Sequence, residues 1–305
     1  MNSEFACDVR VGLSKPQKEL YSKYLYDALG SALFDAITQL PEYGLTRADE
    51  RILGRHAGEI PRMFGTVAEL GSGSGMKTRP VLQALGALQY FPIDVSCAAL
   101  ERCRRELAGT AEIVPLEMSY LEGLTTASSR RNGDPMLTLF LGSTIGNFEP
   151  RCRGEFLTQV RSRLRAGDAL LIGFDLVKPV GTMIQAYDDP TGVTASFNLN
   201  LLGRVNRELG GDFDLRAFAH EARFNAGERS IEMHLRSRRA QTVSIARAGF
   251  RCEFGEGETI WTESSYKFSL EEIPAMARAA GFEWEAQWVD EEWPFCESLW
   301  RVSAG

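Results

Sequence analysis

The sequence predicts an α/β fold in which a doubly wound, mostly parallel sheet is accompanied by a second, inserted α+β domain. The first observation is an apolar run from Thr66 that ends in a turn containing Gly71 and Gly73. Glycines are needed where a strand turns sharply into a helix. The second observation is another apolar run, which ends in the acid Asp94. The third is the regular alternation of apolar runs with helical segments as far as Asp175, which is typical of a parallel sheet.

Further strands and helices of this sheet follow from the spacing of apolar residues. The runs 136–141 and 169–174 are almost wholly apolar, as expected of strands buried on both faces. Helices are predicted over 97–107 and 151–164, with a short strand over 111–116. Because the carboxyl ends of parallel strands meet at one edge, we expect the glycine turn and the acid to lie at that edge.

The chain ahead of the sheet has a weaker pattern. Residues 1 to about 15 lack periodicity and predict a loose terminus. Helices are predicted from Lys15 onward and over 31–40. Thr46 is predicted to cap a further helix, with Asp49 as the weaker acidic partner in a capping box.

Past Asp175 the alternation stops, which indicates a second domain. A helix over 194–209 precedes alternating segments at 230–236 and 241–246, typical of antiparallel strands with one wetted face. A helix over 270–280 and strands over 282–288 and 298–302 then return to the first sheet. We therefore predict one domain at 42–176 and 267–305, and a substrate-binding domain at 1–41 and 177–266.

Composition and charge narrow the class of protein. The net charge of −7 argues against a nucleic-acid surface, and no stretch approaches the ~20 apolar residues of a membrane span. The six cysteines are scattered without a CxxC pair, and the three histidines lack metal-ligand spacing. We expect a soluble, cytoplasmic, metal-free protein that acts on a small molecule. Its oligomeric state is not readable from the sequence, and a monomer is the simplest expectation.

The glycine turn and Asp94 together indicate a nucleoside cofactor, because an acid at this strand end hydrogen-bonds a ribose. Both S-adenosylmethionine and NAD carry that ribose. An NAD(P)-dependent oxidoreductase is disfavoured because Gly75 arrives too early for the G-x-G-x-x-G spacing. The chain also lacks a Tyr-x-x-x-Lys pair suited to hydride transfer.

Seven stretches match, in order, the pattern of one family. They are Y-D-A-L-G at 26–30 with L-P-E-Y at 40–43, E-L-G-S-G at 69–73, G-S-T-I-G-N-F at 142–148, Y-D-D at 187–189, F-N at 197–198 with N-R-E-L at 206–209, I-E-M at 231–233 and T-E-S-S-Y-K-F at 262–268. In these stretches the chain resembles the histidine Nα-methyltransferases, the ergothioneine-pathway enzymes that make hercynine. The resemblance implies a class I (Rossmann-like) S-adenosylmethionine-dependent methyltransferase domain. It also implies trimethylation of the α-amine of free L-histidine.

The resemblance further implies roles for individual residues. Those implied for S-adenosylmethionine are Gly71, Ser72, Gly73, Lys77, Asp94 (on the ribose), Ser119 and Tyr120 (on the adenine). Those implied for the substrate are Gly142, Asn147 and Tyr187 on its backbone atoms, and Tyr43, Met233, Glu263 and Ser265 on its side chain, with Tyr26 as the catalytic residue beside the amine. A hydroxyl and a carboxylate suit a neutral imidazole, which has one donating and one accepting nitrogen. The Glu263 carboxylate also suits a protonated imidazolium, through a charge-assisted hydrogen bond.

The chain departs from the family at two places. The family's Asp-Phe pair becomes Ser119-Tyr120, so the acid that would bind the adenine amino group is missing. The loop at 41–46 reads P-E-Y-G-L-T where the family has P-E-Y-Y-P-T, which loosens the surroundings of Tyr43. The alternatives are another aromatic amino acid or a histidine derivative as substrate, and a binding protein without catalysis. His220 and His234 are expected to be structural.

Overall fold

Two units of structure share the chain. The computed structural model describes residues 2 to 303, and the predictions for Met1, Ala304 and Gly305 lie outside the described residues. The first unit comprises the chain up to Gly44 together with Lys178–Ser265. The second comprises Leu45–Val177 together with the chain from Tyr266 onward.

The elements are numbered in chain order. The helices are α1 (Asn2–Leu13), α2 (Ala28–Ile37), α3 (Leu45–His56), α4 (Arg79–Leu85), α5 (Cys97–Glu106), α6 (Tyr120–Arg130), α7 (Pro150–Ser162), α8 (Val180–Tyr187), α9 (Val193–Leu209) and α10 (Ile273–Ala279). The strands are β1 (Lys18–Glu19), β2 (Thr66–Leu70), β3 (Gln89–Asp94), β4 (Glu112–Ile113), β5 (Leu116–Glu117), β6 (Met136–Phe140), β7 (Ala169–Asp175), β8 (Phe218–Asn225), β9 (Ser230–Ser237), β10 (Gln241–Ile245), β11 (Phe250–Phe254), β12 (Thr259–Tyr266), β13 (Glu283–Val289) and β14 (Phe295–Arg301).

The second unit is built on one sheet with the strand order β13-β14-β7-β6-β2-β3-β4, and β5 also pairs with β3. Strands β2, β3, β6 and β7 are parallel, and every residue of β2, β6 and β7 is buried, as their apolar runs predict. Strand β14 runs antiparallel between β7 and β13 and forms the antiparallel edge region of the sheet. The prediction of a class I, Rossmann-like fold is confirmed.

Both faces of this sheet are covered by helices. One apolar cluster includes Ala68 and Leu70 of β2 together with side chains of α6, α7 and α10. The other includes Val67 of the same strand together with side chains of α3, α4 and α5. Successive residues of a strand point to opposite faces, so β2 contributes to both clusters. The sheet is thereby fixed from two sides, and its loops are left at the edges.

The first unit contains a smaller sheet in the order β1-β12-β9-β8 and a two-stranded sheet of β10 and β11. Strands β8 and β9 pair antiparallel, as do β10 and β11. The short strand β1 pairs parallel with β12 through Lys18 and Ile260. Beside it, the Gln17 Nε2 donates to the carbonyl oxygen of Thr259 at 3.0 Å. Segments from the two ends of this unit's sequence therefore complete one sheet.

The predicted loose terminus is wrong, because residues 2–13 form α1. Its side chains Phe5, Val9 and Leu13 recur every four residues and are each at most 3% exposed, so one face of the helix is buried. The helix predicted from Lys15 is also wrong: the chain there forms β1 and a short 3₁₀ helix, Ser22–Tyr24. Pairing with a distant strand outweighs local helix propensity at this point.

Three further elements differ from the sequence patterns. Helix α6 contains two threonines and two serines, which are weak helix formers, yet it buries Leu124 and Ala127. Helix α8 was likewise not predicted. Helix α3 begins at Leu45, one residue before the expected cap, so the capping box at Thr46 and Asp49 is wrong. Among residues 2–303, no helix has the length and apolar character that crossing a membrane requires.

We expect Gly123→Ala to destabilise the protein by about 1–3 kcal/mol, because a Cβ there would meet the Ile93 Cγ2 at 2.3 Å. Gly154→Ala is the matched control: it too lies in a helix, is exposed, and has no heavy atom within 4 Å of the position that a Cβ would take. That control should gain up to about 1 kcal/mol from helix propensity. Urea unfolding of the three proteins measures both effects, and equal changes would contradict the packing of α6 on β3.

Candidate functional site

The turn after β2 has backbone angles that favour glycine. Gly71, Gly73 and Gly75 have φ angles of 77°, 52° and 70°, in the left-handed region where side chains cause strain. A Cβ at Gly75 would lie 2.6 Å from the Cys103 Sγ, whereas one at Gly73 would have no heavy atom within 4 Å. The turn is thus packed on one side and open at Gly73, where a ligand can lie against the backbone.

Ser72 supports the same interpretation of the turn. Its side chain is buried, and its Oγ has no hydrogen-bond partner among residues 2–303. A buried hydroxyl usually has a partner in the folded protein or in a bound molecule. The residues of the turn therefore fit a polar ligand group.

Asp94, at the end of β3, is hydrogen-bonded to this turn. Its Oδ2 accepts from the Gly73 amide at 3.1 Å, and its Oδ1 accepts from the Ser96 amide at 2.9 Å. The carboxylate is half-buried and held in one orientation at the edge of the sheet. Each carboxylate oxygen accepts more than one hydrogen bond, so this group can also accept from the hydroxyls of a ribose.

Glu69, the acid before the turn, is buried and hydrogen-bonded within the protein interior. Its Oε2 accepts from the Thr78 hydroxyl at 2.6 Å and from the Tyr90 hydroxyl. Burial raises the pKa of Glu69 to about 7, although both hydrogen bonds favour the charged form. Glu69 thus links β2 to β3 and to the 3₁₀ helix Met76–Thr78, and it stabilises the turn on its buried side.

Lys77 and Gly142, predicted for different ligands, lie side by side. The Lys77 Nζ would be 3.0 Å from a Cβ at Gly142. Both donate to one oxygen, the Oδ2 of Asp49, at 2.7 Å from Nζ and 3.0 Å from the Gly142 amide. Burial alone would lower the pKa of Lys77, but the neighbouring carboxyl groups, Asp49 first among them, more than offset it and raise that pKa. Lys77 is therefore a cation held at the carboxyl edge of the sheet.

Ser119 and Tyr120 follow β5 and begin α6. The Tyr120 ring lies 5.6 Å from that of Phe140, and its hydroxyl would be 3.1 Å from a Cβ at Gly71. Burial raises the pKa of Tyr120 to about 12, so the hydroxyl stays neutral. Ser119 is exposed, and its hydroxyl donates to the Glu122 Oε2 at 2.6 Å. Tyr120 is thus beside the glycine turn, whereas the Ser119 hydroxyl bonds within its own helix.

Asn147 ends the short 3₁₀ helix Thr144–Asn147 that follows β6, and it is half-buried. The loop before it is strained at Ser143, a non-glycine residue with a φ angle of 54°. The Ser143 Oγ accepts from the Asp175 amide at 2.8 Å, which ties this loop to the end of β7. The side chain of Asn147 is thereby placed at the same edge as the glycine turn.

In the first unit, three of the predicted tyrosines belong to one aromatic row. Tyr26 lies 5.6 Å from both Phe34 and Phe197, measured between ring centroids. Phe34 lies 6.2 Å from Tyr43, which in turn lies 6.2 Å from Tyr187. These five rings, here called the aromatic row, pack mostly edge to face. Phe34 and Phe197 were not singled out in the sequence as site residues.

The row continues into polar residues of β12. The Tyr187 hydroxyl donates to the Ser265 Oγ at 2.7 Å. Glu263 lies two positions before Ser265, so both side chains are on one face of the strand, and both are buried. Met233, on the neighbouring β9, is buried as well, and its carbonyl oxygen accepts from the Thr262 hydroxyl at 2.9 Å. The first unit thus brings the hydroxyl of Tyr187, predicted for the substrate's backbone atoms, next to that of Ser265, predicted with Glu263 for its side chain.

His220 supports Tyr187 from behind. Its Nε2 lies 2.7 Å from the Tyr187 carbonyl oxygen, which can only accept, so Nε2 carries the proton. Its Nδ1 then accepts from the Asn198 Nδ2 at 2.9 Å. Burial lowers the pKa of His220, consistent with a neutral ring. This is the structural role expected from the sequence. His234 is also buried and pairs with Glu232 at 3.1 Å.

Asp49 is not the helix-capping residue that the sequence predicts, because its carboxylate accepts from Lys77 and from the Gly142 amide. Its spacing from Thr46 suggested a helix cap, and no local motif distinguishes a cap from a buried ligand of Lys77. Within residues 2–303 there is no group of three or more His, Cys, Asp or Glu side chains placed to bind a metal ion.

The free energy of unfolding should fall as pH rises from about 4.5 to above 7, because Glu69 binds its proton more tightly in the folded protein. The fall attributable to this residue is at most about 3 kcal/mol. Glu69→Gln keeps a neutral acceptor for both hydroxyls, so the variant should lose this part of the pH dependence and be more stable than wild type at alkaline pH. Urea unfolding across this range tests it, with Glu112→Gln, exposed on β4, as control. Parallel curves for wild type and Glu69→Gln would contradict the assignment.

Comparison with known proteins identifies the family of the chain. A family model described as "Histidine-specific methyltransferase, SAM-dependent" matches residues 5–302. The chain is 42% identical over 300 residues to the histidine N-alpha-methyltransferase of Mycolicibacterium smegmatis, covering 96% of this chain and 93% of that protein. It is 43% identical over 302 residues to the protein of the same name from Mycobacterium tuberculosis, with the same coverage. It is 30% identical to ergothioneine biosynthesis protein 1 of Schizosaccharomyces pombe, covering 87% of this chain and 36% of that protein.

Proposed function

Because the chain belongs to the family of S-adenosylmethionine-dependent, histidine-specific methyltransferases, we propose that it methylates the α-amine of free L-histidine. The product is the trimethylated amino acid hercynine, and the reaction is a step of ergothioneine biosynthesis. The observation that carries the proposal is the family match over residues 5–302. The grouping of Tyr187, Ser265 and Glu263 in the first unit supports the choice of an imidazole substrate.

We assign the second unit to the methyl donor. S-adenosylmethionine supplies a methyl group on a sulfonium, which is electrophilic enough to be attacked by an amine. The open backbone at Gly73 and the buried Ser72 hydroxyl suit its polar groups, and the Asp94 carboxylate suits its ribose hydroxyls. Tyr120, beside Gly71, is assigned to the adenine ring, whose faces favour aromatic neighbours.

We assign Glu263 and Ser265 to the imidazole. The Ser265 Oγ lies 2.7 Å from the Tyr187 hydroxyl oxygen, and a hydroxyl at this position suits the unprotonated ring nitrogen. Glu263 then accepts from the N–H on the other side of the ring. A hydroxyl on one side and a carboxylate on the other suit a neutral imidazole, and the carboxylate can also hold an imidazolium through a charge-assisted hydrogen bond. Asn147 and Gly142 are assigned to the backbone atoms of the amino acid.

The attacking amine must be neutral, and the protein's contribution is mainly to align it with the methyl group. Tyr26 is assigned to this amine. After the first transfer the nitrogen is a methylated ammonium, and it must lose a proton before the next one. Aromatic faces tolerate a growing ammonium through cation–π attraction, which favours the aromatic row as its surroundings.

Mass spectrometry of the purified protein with S-adenosylmethionine should show trimethylhistidine as the main product. Glu263→Ala should lower kcat/KM for histidine about 10- to 100-fold, since it removes a hydrogen bond to a charged acceptor. Glu253→Ala, an exposed acid on β11 of the same unit, is the control and should keep wild-type turnover. Unmodified histidine together with methylated tryptophan or another aromatic amino acid would contradict the substrate, while leaving the family unaffected.

Asp94→Asn should weaken binding of S-adenosylhomocysteine about 10-fold or more, because the ribose would lose a charged acceptor. Isothermal titration calorimetry measures this without any amino-acid substrate. Glu117→Gln is the matched control, since Glu117 is the register partner of Asp94 on the adjacent strand and is exposed. Equal weakening in both variants would point to a general loss of charge rather than a ribose contact.

A further inference from the structure

A second buried carboxyl group lies behind the Asp49–Lys77 pair of the second unit. Glu297 is on β14, in the interior of the sheet, and neither it nor Asp49 is exposed to solvent (both 0%). Carboxylates with no exposure are rare unless they are paired or protonated. No role proposed above for either ligand explains why an acid is placed at this position.

A glycine on the neighbouring strand β7 leaves space for the Glu297 side chain. Glu297 is in register with Gly173 of β7. A Cβ at Gly173 would lie 2.6 Å from the Glu297 Oε1 and 3.3 Å from the Gly142 nitrogen. The Glu297 carboxyl therefore reaches the same small region as the Gly142 amide and Asp49.

If both acids were ionised, three of their four carboxylate oxygens would be buried without a hydrogen-bond donor in the described part of the chain. Oδ2 of Asp49 accepts from Lys77 and from the Gly142 amide. Within residues 2–303, no N–H or O–H group donates to Oδ1 of Asp49 or to either oxygen of Glu297. The Glu297 Oε1 and the Gly142 amide both lie beside the position of a Cβ at Gly173, and that amide donates to Asp49, so the two carboxyl groups are neighbours. Two adjacent buried carboxylates repel each other, whereas a single proton between them removes one charge and gives Oδ1 of Asp49 a donor.

The neighbouring charges decide which acid holds the proton. Lys77 contacts Asp49, so Asp49 is the better anion. The groups around Glu297 are Asp49 on α3, Lys77 after β2 and Glu69 on β2. Burial and the Asp49 charge raise the pKa of Glu297 well above its ordinary value, and Lys77 only partly opposes this.

We propose that Glu297 is a neutral acid that donates a hydrogen bond to Oδ1 of Asp49. Asp49 then remains the charged member of the pair and holds Lys77 and Gly142 in position for methyl transfer. Asp49 and Glu297 are thus positioning residues, which act through the turn after β2 and the loop after β6. The link to methyl transfer rests on the function proposed above, whereas the proton on Glu297 does not.

Infrared difference spectroscopy of wild type against Glu297→Gln reads this proton directly. At about pH 9, above the pKa of about 7 of Glu69, wild type should show the C=O stretch of a protonated carboxyl group, and the variant should lose it. If the wild-type spectrum lacks this band, Glu297 is ionised and the proposal is wrong. This measurement needs neither ligand, so its outcome is independent of the proposed substrate.

Binding of S-adenosylhomocysteine tests the positioning role. Glu297→Gln keeps a donor to Asp49 and should bind within about 3-fold of wild type, whereas Glu297→Leu leaves Oδ1 of Asp49 buried without a donor and should bind about 10-fold more weakly or worse. Asp49→Asn removes the charge that holds Lys77 and should weaken binding by at least about 10-fold. Equal damage from Glu297→Gln and Glu297→Leu, or wild-type affinity in Asp49→Asn, would contradict the proposal.

Comparing the KM for the methyl donor with the KM for histidine distinguishes a positioning role from a general loss of structure. Asp49 holds both Lys77 and Gly142, so Asp49→Asn should raise the KM for the methyl donor and the KM for histidine together. Glu297→Gln should leave both KM values near those of wild type. A change in only one KM would mean that Asp49 positions one loop and not the other. If histidine proves not to be the substrate, the calorimetric and infrared results still decide the proposal.

Discussion

Two loops at the carboxyl edge of the second unit's sheet are held together by one buried charge, the carboxylate of Asp49. A parallel sheet brings the carboxyl ends of its strands to one edge, but the loops that follow them are not joined by the sheet's own hydrogen bonds. A single oxygen of Asp49 joins two of these loops by accepting from Lys77 and from the Gly142 amide. A charge with this little exposure is costly unless it is paired, and here the pairing also sets the loop geometry.

In the first unit, uncharged residues hold a predicted site residue in place in a similar way. His220 has one ring nitrogen that donates to the Tyr187 carbonyl oxygen and one that accepts from Asn198. The tyrosine placed in this way then bonds to Ser265 through its hydroxyl. In both units, the residues assigned to ligands are held by a layer of buried polar residues behind them. Such supporting residues determine how accurately a site is held.

The central strands could be predicted because burial on both faces leaves a continuous apolar run, as in 136–140. The N-terminal elements could not. The buried apolar side chains of helix α1, Phe5, Val9 and Leu13, are only three in number, and β1 exists through pairing with Ile260 and Trp261. The motifs placed Tyr43, Tyr187 and Ser265 in one group, whereas their roles stay predictions. Asp49 and Glu297 have no local signature, because their environment is created by strands and helices far away in sequence.

The split of the first unit between two segments also sets an order of events during synthesis. Gln17 bonds to Thr259, 242 residues later in the chain. At roughly 5–20 residues per second, the ribosome takes on the order of 10–50 s to make that stretch. Throughout that interval β1 has no partner strand. The apolar face of α1 lacks its later neighbours for part of the same period. A circular permutant that begins at the second segment would shorten this interval.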